Sequence, residues 1–245
     1  MKRIVLSFLL ASSLHAEDGE WRPPFITTPP EVVERMLELA ATRAGDFVVD
    51  LGSGDGRIVI AAARQFGASG LGVELDADLV RTSRENAERA RVADKARFVQ
   101  GDALSADLSR ATVLTVYLLP ALMAKLQPRF IDELAPGTRI VSHSFTMAGW
   151  APDRTETVRL RERHPGQGDE SRLYLWIVPA DVRGTWRAGE HRVRIEQNYQ
   201  QIDVEGAGPG KVSGREVAWP GFKGRLAGGR IVGELGGRRI ELERR

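Results

Sequence analysis

Residues 50–56 form the most chemically suggestive stretch of the sequence, because three glycines alternate there with small and acidic residues. They read Asp-Leu-Gly-Ser-Gly-Asp-Gly and follow an apolar run. Glycine tolerates backbone conformations that other residues avoid, and its missing side chain lets a ligand approach the main chain closely. In open parallel sheets, such turns bind ligands across the carboxyl ends of the strands. We therefore expect Gly52, Ser53, Gly54 and Gly56 to form a ligand-binding loop.

The spacing of the glycines indicates which ligand the loop binds. A dinucleotide fingerprint would place its third glycine at position 57, which Arg57 occupies. The third glycine is instead Gly56, and Asp50 stands two residues before the first glycine, Gly52. A carboxylate there suits the positively charged methionine part of S-adenosylmethionine, and an acidic loop is tolerable because that ligand carries no pyrophosphate. The pattern therefore favours S-adenosylmethionine as the cofactor.

Two further acidic residues follow the next predicted strands. Glu74 ends the second strand, where its carboxylate can accept hydrogen bonds from both hydroxyls of a ribose. Asp102 comes after the third strand and is placed to accept a hydrogen bond from the amino group of adenine. Taken singly, Glu74 could be a solvated strand end, Asp102 a cap and Gly56 only a helix start. Their joint occurrence at successive strand ends favours a cofactor site.

Residues 117–120 read Tyr-Leu-Leu-Pro and end the fourth predicted strand, on the side where the reactive methyl group would lie. Enzymes that methylate amino groups often have a proline-containing turn there, whose carbonyls and aromatic ring hold the acceptor nitrogen. The transfer is a direct displacement, so it needs mainly alignment and a deprotonated nucleophile. Tyr117 and Pro120 are therefore our candidate catalytic residues, with Tyr117 orienting the nitrogen. The alternative is that Tyr117 packs beneath the end of the sheet.

Four other residues are weaker candidates for the site. His143 follows the fifth predicted strand and could either accept a proton or be a hydrogen-bonded structural histidine. Thr27 and Thr28 lie on the segment that would cover the cofactor, although Thr28 also fits the role of a helix N-cap. Trp150 could line a substrate cleft or close the core.

The order of the predicted elements indicates how these residues come together. Short apolar runs predict five strands, at residues 47–51, 70–74, 96–100, 111–118 and 138–144. Helical patterns surround them, at residues 28–45, 58–66, 78–93 and 120–134. The first helix is expected to begin at the cap Thr28 and to end at Gly45, and the last to be broken locally at Pro128. This alternation implies a parallel sheet with helices on both faces.

A late hairpin completes the predicted sheet. Residues 155–163 and 172–178 have no helix between them, so they can pair only as an antiparallel hairpin. The expected fold of residues 22–180 is therefore α/β, a Rossmann-like sheet that is mostly parallel and closes with an antiparallel hairpin. That order is typical of class I methyltransferases, whereas nicotinamide-binding folds continue with parallel strands.

Residues 181–245 have a different character, with short alternating runs separated by glycine-rich breaks. Such punctuation predicts short strands in a β-meander or a small barrel. Neither paired carboxylates nor metal-ligand spacing occurs there. We therefore expect a small β-rich module with a binding or scaffolding role.

Composition restricts the possible partners. The formal net charge is only +2, although residues 181–245 alone carry 13 basic and 9 acidic groups. This excess is weaker than the clustered basic face of a dedicated nucleic-acid binder, so we expect no nucleic-acid partner. The chain has no cysteine, which excludes disulfides and thiolate metal sites, and we expect no metal.

The amino-terminal residues 1–16 resemble a secretory signal peptide. Lys2 and Arg3 precede an apolar run at residues 4–11, and Ala16 ends a possible cleavage site. The predicted location is therefore the periplasm or the envelope; an uncleaved anchor, or a cytoplasmic protein whose signal does not function, stays open. No later segment approaches the length of a membrane-spanning helix, so none is expected there.

Four motifs together resemble the seven-strand protein-lysine methyltransferases. They lie at residues 24–33, 50–59, 117–120 and 150–153, and the resemblance covers residues 22–155. The sequence is most similar to the group that modifies the mitochondrial adenine nucleotide translocase and the c-type ring protein of ATP synthase, with its bacterial relatives, and more distantly to the non-SET histone lysine methyltransferase.

The resemblance implies lysine N-methylation of a protein substrate with S-adenosylmethionine as cofactor. The cofactor-binding residues that it implies are Asp50, Gly52, Gly54, Gly56, Glu74 and Asp102. Residues 117–120 would border the acceptor, and the β-rich tail would help to hold the protein substrate. Methylation of a small molecule at nitrogen or oxygen, and a non-catalytic binding module that keeps the fold, are the alternatives.

Overall fold

A seven-stranded sheet is the first large element of the computed structural model, which describes residues 26–164 and 168–244. Its strands are β1 (Phe47–Leu51), β2 (Ser69–Glu74), β3 (Ala96–Gln100), β4 (Val113–Val116), β5 (Arg139–His143), β6 (Arg154–His164) and β7 (Gly168–Ile177). They lie in the order β3-β2-β1-β4-β5-β7-β6. All neighbours pair in parallel except β7, which is antiparallel to both β5 and β6. The predicted parallel sheet with a closing hairpin is confirmed, whereas the predicted signal peptide at residues 1–16 lies outside the described residues.

Helices cover both faces of this sheet because its central strands are apolar on both sides. The helices are α1 (Pro30–Leu39), α2 (Arg57–Phe66), α3 (Ala77–Arg89) and α4 (Pro120–Glu133). All residues of β4 are buried, as expected for a parallel strand that is covered on both faces. Met36 and Leu37 of α1 pack on one face, and Leu126 and Phe130 of α4 pack on the other. No helix in the part of the chain described by the structure is long and apolar enough to cross a membrane.

The start of α1 differs from the prediction that Thr28 caps it. The residue at the cap position is Pro29, and no side chain makes a capping hydrogen bond there. The hydroxyl oxygen of Thr28 lies instead 3.2 Å from Nδ1 of His143. A long-range partner has therefore replaced the local capping role.

Two other helix predictions were also wrong. The first helix ends at Leu39 instead of Gly45, because Ala41 adopts a φ of 48° and a left-handed residue cannot continue a right-handed helix. The fourth helix continues through Pro128 without a break. Proline removes only one backbone hydrogen bond, and the fully buried Phe130 keeps the following turn packed on the sheet.

The remaining strands form a closed antiparallel barrel. They are β8 (Gly184–Ala188), β9 (His191–Asn198), β10 (Gln201–Val204), β11 (Gly208–Ser213), β12 (Glu216–Trp219), β13 (Phe222–Ala227), β14 (Arg230–Leu235) and β15 (Arg238–Arg244). Inward-facing apolar side chains, among them Trp186, Ile202 and Phe222, fill its interior. Eight strands leave just enough room for side chains. Of the two predicted forms, meander or barrel, the module takes the barrel.

The barrel closes through a short seam between its first and last strands. Only two residue pairs join β15 to β8, Glu243 with Arg187 and Arg244 with Trp186. The guanidinium of Arg244 lies 5.1 Å from the centre of the Trp186 ring, and its Nη2 donates to the carbonyl of Asp181 at 2.8 Å. The end of β15 therefore fastens both the barrel and the segment that enters it.

Aromatic and polar contacts attach the barrel to the sheet domain. The rings of Trp150 and Tyr199 stack at 5.1 Å with an angle of 4° between their planes. Nε2 of Gln127 donates to the Tyr199 hydroxyl at 2.9 Å, and Nζ of Lys211 lies 2.7 Å from Oδ1 of Asp153. Trp150, which the sequence left between a substrate cleft and the core, is fully buried at this junction.

The barrel contacts the sheet at the end away from the glycine loop. The backbone N–H of Ala180 donates to the carbonyl of Gly214 at 2.7 Å. Gly214 also packs against Gly137, which lies just before the amino end of β5. The loop, in contrast, follows the carboxyl end of β1. The barrel therefore leaves the carboxyl edge of the sheet uncovered at this contact.

Candidate active site

The glycine loop between β1 and α2 has a conformation that side chains would disfavour. Gly52, Gly54 and Gly56 have φ values of 74°, 54° and 83°. The N–H groups of Gly52 and Ser53 donate to the carbonyl of Val73 at 2.9 and 3.1 Å, which fastens the loop to β2. Left-handed backbone is readily accessible only to glycine. The loop is therefore a tight turn at the edge where the parallel strands end.

Ser53 lies in this loop with its side chain turned inwards. It is buried, and its hydroxyl would be 2.5 Å from a Cβ placed on Gly72. The hydroxyl makes no hydrogen bond with another described residue. Ser53 can therefore offer a ligand at the outer face of the loop its backbone more readily than its side chain.

The three predicted acidic residues lie at the ends of three adjacent strands. Asp50 is in β1, Glu74 ends β2 and Asp102 follows β3. The Glu74 carboxylate accepts hydrogen bonds from the N–H of Gly54 at 2.8 Å and of Asp76 at 3.0 Å. Asp102 is exposed and accepts one from the N–H of Leu104 at 2.8 Å. Each carboxylate has lone pairs beyond those used, so the structure brings the predicted set together at one edge.

The turn before α4 packs directly against the glycine loop. Strand β4 stops at Val116, earlier than predicted, and residues 117–119 form the turn. A Cβ placed on Gly52 would lie 2.9 Å from Cδ2 of Leu118, so the two segments touch. Pro120 is exposed at the first position of α4. The predicted cofactor and acceptor sides are therefore neighbours.

Tyr117 belongs to a cluster of aromatic rings. Its ring centre lies 4.1 Å from that of His143, 6.2 Å from that of Phe145 and 6.4 Å from that of His164. The ring of Tyr117 is partly exposed, so it does not lie wholly beneath the sheet end as the alternative interpretation would have it.

His143 is fully buried, with hydroxyl groups near both ring nitrogens. Nδ1 lies 3.2 Å from the oxygen of Thr28, and Nε2 lies 3.1 Å from that of Ser171. This arrangement fits a hydrogen-bonded structural histidine better than a proton acceptor that substrate could reach. Its place beside Tyr117 makes it a support for that ring.

Three residues that the sequence analysis did not single out also belong to the site. The guanidinium of Arg57 donates to both carboxylate oxygens of Asp55 and to the carbonyl of Thr28. Nε2 of His164 lies 2.8 Å from the carbonyl oxygen of Thr27. Asp55 and Arg57 stand in or beside the glycine motif, so their position was the available signal. The alternating pattern of β6 contains no feature that distinguishes His164.

Known proteins resemble this chain most clearly over the sheet domain. The ANTKMT methyltransferase domain family matches residues 50–154. A protein-lysine N-methyltransferase of Saccharolobus islandicus (strain REY15A) is 44% identical over 156 residues, which are 63% of this chain and 93% of that protein. The chain belongs to this methyltransferase family. The methyltransferase is also 36% identical to a lysine N-methyltransferase of Mus musculus that is named for the c-type ring protein of ATP synthase, with 74% of each chain covered.

A solved structure supports the same assignment. The methyltransferase is 51% identical to an RNA methyltransferase from Salinibacter ruber that was solved in complex with S-adenosyl-L-homocysteine. The TM-score is 0.58, and the likeness covers 64% of this chain and 96% of that one. The class I fold and the use of S-adenosylmethionine, both predicted from the sequence, are thereby confirmed.

The residues at the loop fit this cofactor. A Cβ on Gly56 would lie 2.6 Å from the Phe98 ring, so the turn has no room for a side chain. Beside it stand Asp50, Glu74 and Asp102, which would hold the cationic methionine part, the ribose and the adenine, respectively. No group of three or more histidine, cysteine, aspartate or glutamate side chains within residues 26–164 and 168–244 could hold a metal ion.

Asp50 is the most strongly perturbed acid of the site. Burial raises the pKa of this carboxyl to about 7, against a stabilising hydrogen bond from Thr115 at 2.7 Å; the negative charges of Glu74 and Asp55 raise it further. The pKa in an unfolded chain is 3.8. The folded protein without cofactor therefore holds a proton that the unfolded chain loses between these two values, so this group lowers stability as the pH rises from about 4 to about 7.

Cofactor binding should couple to the ionisation of Asp50. The cationic cofactor favours the carboxylate, so S-adenosylmethionine should bind more tightly as the pH rises through about 7 and should release a proton on binding. The variant Asp50→Asn should bind weakly without this pH dependence and should lose less stability between pH 4 and 7. Calorimetry in buffers of different ionisation enthalpy measures the released proton. Asp94→Asn, at an exposed position, is the control; an unchanged proton count in Asp50→Asn would contradict the coupling.

Proposed function

We propose that this methyltransferase transfers a methyl group from S-adenosylmethionine to the side-chain nitrogen of lysine in a protein. The observation that carries the proposal is the 44% identity to a protein-lysine N-methyltransferase over 93% of that protein. The identity to a mouse lysine N-methyltransferase, over 74% of its length, supports the same acceptor.

The geometry at the end of β4 is compatible with an amine acceptor. The turn at residues 117–119 lies against Gly52, so Tyr117 and the backbone carbonyls beside it can border an amine next to the cofactor loop. When bound, S-adenosylmethionine supplies an electrophilic methyl carbon on a sulfonium. We propose that Tyr117 and Pro120 shape the acceptor side and align a neutral lysine nitrogen, because direct displacement needs mainly orientation and a free lone pair.

The surroundings of the turn favour a macromolecular acceptor. Leu119 is 41% exposed and Ile26 is 38% exposed, which is unusual for large apolar side chains in this molecule. Both adjoin the aromatic cluster through their neighbours Leu118 and Thr27. Apolar groups at the mouth of a site can contact a bound polypeptide, whereas a small soluble substrate would leave them in water.

A second candidate is methylation of RNA, which the name of the Salinibacter ruber structure favours. The two functions are separated by supplying cofactor with a tritium-labelled methyl group to the protein and an extract of host cells. For a lysine methyltransferase, protease should release the label, nuclease should not, and hydrolysis should yield methylated lysine. Label that is lost to nuclease would refute the proposal in favour of RNA, and label in the low-mass fraction would refute it in favour of a small acceptor.

A further inference from the structure

Arg57 bridges two segments that are remote in sequence. It is the first residue of α2, and its Nε and Nη2 donate to Asp55 of the glycine loop at 2.8 and 2.5 Å. Its Nη1 donates to the carbonyl of Thr28 at 2.8 Å. We call residues 26–29, which precede α1, the strap. One guanidinium therefore holds the cofactor loop and the strap together.

The strap continues the connection towards the acceptor side. Thr28 uses its carbonyl for Arg57 and its hydroxyl for Nδ1 of His143. The His143 ring lies 4.1 Å from the ring of Tyr117. A second contact, from Nε2 of His164 to the carbonyl of Thr27, fastens the strap to β6. The strap therefore lies between the loop and the aromatic cluster and touches both.

Asp55 makes this bridge sensitive to the conformation of the loop. It lies between Gly54 and Gly56, and Nδ2 of Asn86 on α3 donates to its carbonyl at 2.8 Å. The ion pair with Arg57 is two-pronged and partly shielded, with 31% of the Arg57 side chain and 23% of the Asp55 side chain exposed. Charge-assisted contacts of this fork-shaped kind set direction as well as attraction. A displacement of the loop therefore moves the anchor of Arg57.

We propose that Arg57 is a positioning residue that couples the cofactor loop to the acceptor wall through Thr28 and His143. Ordering of the loop by cofactor then orders the strap and steadies the ring of Tyr117. The inference rests on the proposed function only in taking Tyr117 as the acceptor wall. By reciprocity, cofactor and acceptor each strengthen the binding of the other.

Arg57→Ala tests the coupling with two independent readouts. Binding of S-adenosylhomocysteine should stay within about threefold of the unmodified protein, while the KM for the acceptor should rise about tenfold, within the usual range of couplings between sites. Amide exchange of the peptide with Thr27 and Thr28 should slow when S-adenosylhomocysteine binds the unmodified protein, and should not slow in the variant. The exchange readout requires no acceptor, so it is independent of whether the acceptor is lysine.

Three further variants sharpen the test. Arg57→Lys keeps the charge but loses the fork, so its acceptor KM should be intermediate. Thr28→Val keeps the carbonyl and removes the bond to His143, so it should reproduce the acceptor effect, and its combination with Arg57→Ala should add little. Arg64→Ala, at an exposed position on the same helix, should match the unmodified protein. Equal losses in S-adenosylhomocysteine and acceptor binding in Arg57→Ala, or strap exchange that still slows, would overturn the proposal.

Discussion

Replacement of Glu74 by alanine should weaken the binding of S-adenosylhomocysteine by about 100-fold or more. Hydrogen bonds to a charged group contribute about 1.5–3 kcal/mol each, and a carboxylate that accepts from two ribose hydroxyls would lose both. The same carboxylate accepts from the N–H of Gly54, so its removal also loosens the glycine loop. Ligand contact and loop order are lost together, which makes this the largest expected effect on binding.

Calorimetric titration with S-adenosylhomocysteine measures the loss. Glu74→Gln keeps one acceptor oxygen without the charge, so its affinity should be intermediate. Glu85→Ala removes an exposed glutamate on α3 and should bind normally. An affinity of Glu74→Ala within threefold of the unmodified protein would show that Glu74 does not hold the cofactor.

Gly56→Ala should destabilise the sheet domain by about 2–4 kcal/mol, because two penalties combine. A non-glycine residue in the left-handed conformation costs about 1–2 kcal/mol, and overpacking a filled core costs about 1–3 kcal/mol. The φ of Gly56 is 83°, and an added Cβ would lie 2.6 Å from the Phe98 ring and 2.8 Å from Cβ of Ser83. Relief requires both α3 and β3 to shift.

Urea unfolding followed by circular dichroism measures this free energy. Gly45→Ala is a matched control, because nothing lies within 4 Å of the added Cβ and its φ is not in the left-handed region. We expect the control to change stability by no more than about 0.5 kcal/mol. Equal midpoints for the two variants would mean that the loop relaxes freely around Gly56, against the close packing described.

Local sequence patterns were sufficient for the sheet and for the cofactor loop. The β1 run is apolar because both faces of the strand are covered, and the glycines that follow it are required at positive φ. Both signals lie within a few residues, so they can be recognised without knowledge of the fold. Glu74 and Asp102 could be placed because parallel strands bring their ends to one edge.

The contacts of the strap could not be predicted in this way. Thr28 fits a local capping pattern, yet its hydroxyl bonds to His143, which is 115 positions away. His164 reaches Thr27 from 137 positions away. A hydroxyl or an imidazole can accept or donate in many settings, so the residue type alone does not identify the partner. Only the closing hairpin brings these groups together.

The form of the carboxyl-terminal module was undetermined for a related reason. Alternating apolar residues and glycine turns predict strands, but whether a meander closes depends on its first and last strands meeting. Here that meeting is the seam of Glu243 and Arg244 with β8. Nothing in the pattern of either strand alone indicates it.

The short seam also affects how the protein behaves at high concentration. Within the described chain, β15 pairs with β8 only at its last two positions, so residues 238–242 keep one backbone edge without a strand partner. An open edge of this kind is a template on which strands of other molecules can add, and it is the usual starting point for aggregation. Arg238 and Arg239 are exposed at the start of that edge. Their charges oppose the approach of a second copy, so the barrel can tolerate incomplete closure without self-association.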